Sequence, residues 1–67
     1  LLYQLKLAHV FMFSNKVGEA KAIHKLYKDN NVSSSKSWIA QTKFDFEDFE
    51  KRGFPTDNFK KILRILE

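Results

Sequence analysis

The sequence holds no cysteine, one proline, two glycines, one methionine and one tryptophan in 67 residues. Without cysteine there is no disulfide framework, no thiolate zinc site and no cysteine nucleophile, so the fold has to hold by packing alone. There is no internal repeat and no low-complexity linker; Gly53 and Pro55 supply the main punctuation. Length is also scarce. A chain this short buries only about 60% of the surface its unfolded form exposes, which excludes a two-lobed enzyme with a cleft between domains.

No long hydrophobic run is present. Leu1, Leu2, Leu5, Leu7, Val10, Phe11, Met12 and Phe13 are interrupted by Gln4, Lys6 and His9. As a helix this stretch spans about 20 Å, short of the ~30 Å hydrocarbon core, so it reads as a buried helix with no membrane role. It lacks the charged start and small-residue cleavage site of a secretory signal. Starting with Leu inside an apolar run, the sequence reads as a single small helical domain, residues 1 to 67, taken from a longer protein. The lack of cysteine and targeting signals suits an intracellular setting, and a nuclear one if the partner is DNA.

What the chain does have is 43% hydrophobic residues with seven Phe, and 12 Lys+Arg against 8 Asp+Glu, a formal charge of +4. The charge is uneven. Residues 1 to 44 carry seven Lys and two acids, a net +5, whereas residues 45 to 67 carry five Lys+Arg and six acids, a net −1. A basic face therefore belongs to the first three helices.

Helical spacing predicts a first helix over residues 2 to 13, covered on more than one side. Gly18 is a candidate N-cap for a second helix from Glu19 to Asp29, with Ala22, Ile23, Leu26 and Tyr27 as its inward stripe and Lys21, Lys25 and Lys28 on the opposite face. Glu19 and Lys28 suit the two ends of its dipole. Asn30 to Ser35 is turn-prone and leads to a third helix over residues 35 to 43, with Trp38 and Ile39 inward. Residues 44 to 54 alternate Phe with acids; the Phe46 and Phe49 spacing predicts a short helical turn capped by Asp45. Pro55 restricts Phe54 to extended backbone, and Thr56 or Asp57 caps a last helix with Phe59, Ile62, Leu63 and Leu66 inward. The expected fold is an all-α, compact bundle of about four helices.

Helices 2 and 3 with the turn between them form a helix-turn-helix pattern, in which the second helix enters a major groove. Ser34, Ser35, Lys36, Ser37 and Gln41 then face base edges, with Lys43 and Arg52 beside them, while Lys16, Lys21, Lys25 and Lys28 neutralise phosphates. The competing reading is a solvated surface, since Lys is seldom buried anywhere. Asp45, Glu47, Asp48 and Glu50 are dense but lack the spacing and central Gly of a calcium loop. His9 reads as a packed histidine and His24 as lying near the polar side of helix 2; two His without a third ligand do not make a zinc site. The serines have no paired base. No catalytic residue, metal or cofactor is expected, and Trp38 and the Phe set read as core, with Phe44 or Phe54 available to a partner if exposed.

Phe11-Met12-Phe13, Lys16, Gly18, Ala20 or Ala22, Ile23, Trp38, Phe44-Asp45-Phe46-Glu47-Asp48, Arg52-Gly53 and Pro55, taken in order, resemble the N-terminal helix-turn-helix domain of mariner-type transposases. The Asp57-Asn58 pair followed by Leu63-Arg64 is similar to the start of that family's second helix-turn-helix. The intervals on either side of Trp38 are a few residues shorter than the family's, and Phe54 stands where the family has the Arg of its Gly-Arg-Pro linker, passing any minor-groove contact to Arg52. The resemblance implies a non-catalytic module that binds double-stranded DNA at transposon ends and dimerises through helix 1. The alternative, from Gly53-Phe54-Pro55 leading into Phe59 to Leu63, is a sterile-alpha-motif-like protein-interaction or self-association module, meeting a protein partner or a second copy through its apolar helices.

Overall fold

The computed structural model describes all 67 residues, as four helices: α1 over Leu2–Phe13, α2 over Val17–Tyr27, α3 over Trp38–Lys51 and α4 over Phe59–Leu66. There is no sheet; one isolated antiparallel bridge joins Asn31 to Ser37. The fold is an all-α bundle. Its radius of gyration is 10.9 Å, the value of about 11 Å expected of a compact chain of this length.

The first helix has the bounds that its spacing predicts. It ends because Asn15 takes a left-handed backbone, φ 63°, which Asn tolerates better than most residues. The Lys16 amide then reaches back to the Phe11 carbonyl at 2.8 Å, closing a Schellman-type turn. A tight turn of this kind brings α2 back along α1, and these two helices make the most extensive backbone approach in the bundle. The second helix starts earlier than expected. Lys16 is its cap residue and Gly18 lies inside its first turn, with nothing near the position a Cβ would occupy.

The expected inward stripe of α2 needs correcting. Ala20 and His24 are the buried residues, Ile23 and Tyr27 are half-buried, and Leu26 is 70% exposed. His24, expected on the polar side, is fully buried. The stripe is rotated because the core ahead of α2 is filled by Trp38, whose indole stacks on Tyr27 at 5.3 Å and meets His24 edge-on at 5.6 Å.

The third helix is one continuous element where a short helix and a separate turn are predicted. Ser37 caps it, its Oγ accepting from the Ala40 amide at 3.1 Å, and Ser35 lies outside it in the preceding turn. Asp45 is not a cap. Its carboxylate accepts from Gln41 Nε2 at 2.8 Å and lies 2.9 Å from His9 Nε2. The inward face runs Trp38, Thr42, Phe46, Phe49, a helical spacing that leaves Phe44 outside and 56% exposed. Gly53, at φ 84°, ends α3, with Gly53 N bonded to Glu50 O and Phe54 N to Phe49 O, the paired bonds of a Schellman motif.

Asn58, not Thr56 or Asp57, holds the N-cap position of the last helix, without a side-chain cap bond; its Nδ2 instead donates to the Met12 carbonyl at 3.3 Å, tying the start of α4 to the end of α1. Phe59, Ile62 and Leu66 are buried, and the Phe59 ring stacks on Phe46 at 4.3 Å. Together with Leu5, Met12, Ala20 and Trp38 these residues make one core. At order-of-magnitude level each buried Leu, Ile, Met or Phe side chain among them contributes about 1.5–3 kcal/mol.

Candidate nucleic-acid interface

The connection between α2 and α3 is not a bare loop. Val32 N and Ser33 N both bond Lys36 O, the Asn31–Ser37 bridge sits one step outward, and Trp38 N bonds Asn30 O at 2.9 Å. These bonds fold residues 30–38 into a miniature hairpin whose tip carries Ser33, Ser34 and Ser35, all exposed. Ser35 N also donates to Ser33 Oγ at 3.3 Å, a local side-chain turn that stiffens the tip.

The structure brings part of the predicted set together here. Ser34, Ser35, Lys36 and Ser37 occupy the hairpin and the start of α3, with Gln41 one turn further along. Two of them already have partners: Lys36 Nζ stands 4.0 Å above the centre of the Phe44 ring, and Gln41 donates to Asp45. Ser37 Oγ is used as the cap. Ser34 and Ser35 are both exposed, Ser35 Oγ lying 3.5 Å from Ser33 Oγ and Ser34 Oγ without a partner in the chain. Lys43 is exposed on the flank of α3 that faces α4, in a shallow groove shared with Glu47, Glu50 and Leu63. On α2, Lys21, Lys25 and Lys28 share one flank by their spacing, with Lys25 exposed and the other two half-buried. Lys16 is exposed at the opposite end of α2 from the hairpin, and Arg52 is exposed at the far end of α3, where its Nε pairs with Asp48 Oδ2 at 3.0 Å.

Charge along α3 changes sign. Its first turns follow Lys36 and lead to Lys43, while Glu47, Asp48 and Glu50 crowd the second half. A polyanion approaching α3 therefore meets favourable potential at its N-terminal end, where the helix dipole adds to the lysines, and repulsion beyond Glu47.

A buried polar set lies behind this surface. Trp38 Nε1 donates to His24 Nδ1 at 2.9 Å, and the His9 and His24 rings are 6.4 Å apart, centre to centre. Burial, and secondarily the His9 ring, pushes the His24 pKa down to about 4. Burial also lowers that of His9, although the hydrogen bond and the charge of Asp45 oppose it. His9 Nδ1 and His24 Nε2 are buried without a partner. Spacing within the sequence carried no sign of this set, because its partners are up to 36 residues apart. No three His, Asp or Glu side chains are arranged to hold a metal ion.

Beside the His9–Asp45 pair, Val10, Phe13, Phe49 and Phe54 together with Lys6, His9, Ser14 and Asp45 line an open groove of about 550 Å³ between α1 and the end of α3. No helix is long and apolar enough to cross a membrane. Comparison of the chain with protein-family models, with curated proteins and with solved structures finds no match.

Proposed function

We propose that the domain is a non-catalytic module that binds double-stranded DNA in the manner of a helix-turn-helix, with the hairpin tip and the first turns of α3 entering the major groove and the α2 lysines meeting phosphates. The observation that carries this reading is the anchorage of α3. Trp38 fastens its first turn to α2 through His24 and Tyr27, while Ser34 and Ser35 just ahead of it stay exposed beside Lys36. A recognition helix needs that combination of a fixed start and a free outer face. The resemblance to mariner-type transposase N-terminal domains points the same way.

The sign change along α3 limits the docking. Contact has to be made by the N-terminal half, since Glu47 and Glu50 repel the backbone of the duplex. Gln41 already commits one N–H to Asp45, so Ser34, Ser35 and Lys36 are the first candidates for base contacts, and Lys21, Lys25 and Lys28 for phosphates. Replacing Lys21 or Lys25 with Ala should weaken binding to all duplexes alike and reduce the slope of log K against log salt by about 1 each. Replacing Ser34 and Ser35 with Ala should instead narrow the difference between sequences. Variants that bind duplex with unchanged affinity and slope would sink the assignment.

One observation favours a second reading. The groove in which Val10, Phe13, Phe49 and Phe54 lie beside Lys6, His9, Ser14 and Asp45 joins an apolar patch to a polar margin, a surface of the kind that meets a protein. Under that reading a native size measurement detects self-association or capture of a partner, with no shift on adding duplex DNA.

A further inference from the structure

The hydrogen-bonding roles of the buried histidines are fixed by their partners. An indole N–H can only donate, so His24 Nδ1, 2.9 Å from Trp38 Nε1, is the bare nitrogen of a neutral ring and its proton sits on Nε2. A carboxylate accepts, so His9 Nε2, 2.9 Å from Asp45 Oδ2, carries the proton and Nδ1 is bare. His24 thus has no lone pair left for a metal: one nitrogen is taken by Trp38 and the other is protonated. It has one place to take up a proton, and that place is the atom that accepts from Trp38.

We propose that His24 and Trp38 form a pH-sensitive latch, which holds the first turn of α3 onto α2 while His24 is neutral and opens when His24 is protonated. The proton comes from solvent and adds at Nδ1. The new N–H then opposes the Trp38 N–H, two donors with no acceptor between them, and the only buried bond between an α2 side chain and an α3 side chain is lost. Nothing nearby offsets the charge. From α1, the facing titratable group is His9, a second imidazole. From α3, Asp45 is already engaged by His9 and Gln41. From α2 itself, Lys21 and Lys28 lie one turn before and after and add positive charge. The charged residues of α4, Lys60, Lys61 and Arg64, are exposed, and it sends Phe59, Ile62 and Leu66 inward. The neutral state already leaves the Nε2–H donor of His24 and the Nδ1 acceptor of His9 buried without partners, a cost that a charge on His24 would add to. Opening the latch frees the start of α3 and the hairpin attached to it, whatever those elements bind.

Long-range proton–nitrogen NMR of the imidazole rings, with the indole N–H of the single tryptophan as reporter, tests the latch in the unmodified protein. At neutral pH His24 should carry its proton on Nε2. Its midpoint should lie more than about one unit below the ordinary 6.5, and the indole signal should move or exchange away with that same midpoint. In Trp38→Phe the His24 midpoint should rise by about half a unit or more, because the neutral form loses its donor. In His24→Gln, whose amide offers an acceptor at every pH, the indole signal should stay constant between pH 7 and about 4.5. A proton on Nδ1 at neutral pH, a midpoint at or above 6.5, or an indole signal that ignores the His24 titration overturns the proposal. These readouts come from the native protein, so the idea remains open to refutation if a variant fails to fold.

Discussion

Acidifying the protein from pH 7.5 to pH 5 should remove about 2 kcal/mol of folding stability through His24 alone. The folded-state pKa of His24 is held down to about 4, whereas an unfolded chain protonates its histidines near 6.5. Between those two values the unfolded state binds the extra proton, so the stabilisation is complete above pH 6.5 and is lost as pH falls toward 4, where the cumulative loss reaches about 3 kcal/mol. His9 adds to the effect in the same direction, because its burial outweighs the pull of Asp45. A domain of this length holds roughly 3–10 kcal/mol in total, so the change is a large share of what keeps it folded. Urea titrations followed by circular dichroism at a series of pH values measure it. With a slope of about 1 kcal/mol per molar urea for a small protein, the midpoint should fall by about 2 M between pH 7.5 and 5. A midpoint that stays within about 0.3 M across that interval would refute the reasoning, as would a His24→Gln variant whose pH dependence is as steep as that of the parent.

Other substitutions separate the core from the surface. Ile62→Ala, at a fully buried position, should cost about 2–5 kcal/mol, whereas Leu26→Gln, at a position 70% exposed, should change stability by less than about 0.5 kcal/mol; thermal unfolding of both variants checks the rotated stripe of α2. Ser37→Ala removes the only side-chain cap in the bundle and should cost about 1 kcal/mol, read from the same melts. Gly18→Ala, inside α2 with open space around it, should stabilise by about 0.5–1 kcal/mol. Gly53→Ala, at φ 84°, should destabilise by a similar amount or more.

The sequence made the outer helices legible because their information is local. Residues 2 to 13 are apolar on several sides and end at Ser14-Asn15, and Phe59, Ile62 and Leu66 recur at helical spacing behind Pro55. The middle was harder for a physical reason. Phe44-Asp45-Phe46 alternates like an extended segment, yet Phe46 belongs to the Trp38-Thr42-Phe46-Phe49 face of one helix, and what holds Asp45 in mid-helix is His9, on a different element. Leu26 looks like a core residue until Trp38 takes the space in front of α2 and turns Ala20 and His24 inward instead. The site followed the same division. Ser34, Ser35 and Lys36 can be found from a turn-prone run of small polar residues ahead of a helix, and the lysine flank of α2 from its spacing. The engagement of Gln41 by Asp45, the pairing of Lys36 with Phe44 and the His24–Trp38 bond depend on how the elements meet, which spacing along one chain does not encode.

Fluorescence anisotropy of a labelled duplex of about two helical turns, titrated with the intact domain at several salt concentrations, tests the DNA-binding proposal most directly. With the three lysines on α2 supplying about three phosphate contacts, log K should fall linearly with log salt at a slope of about −3. Replacing Lys25 should make that slope shallower by about 1. The absence of any binding at about 50 mM salt and about 100 µM protein, or an affinity that does not respond to salt, would contradict it.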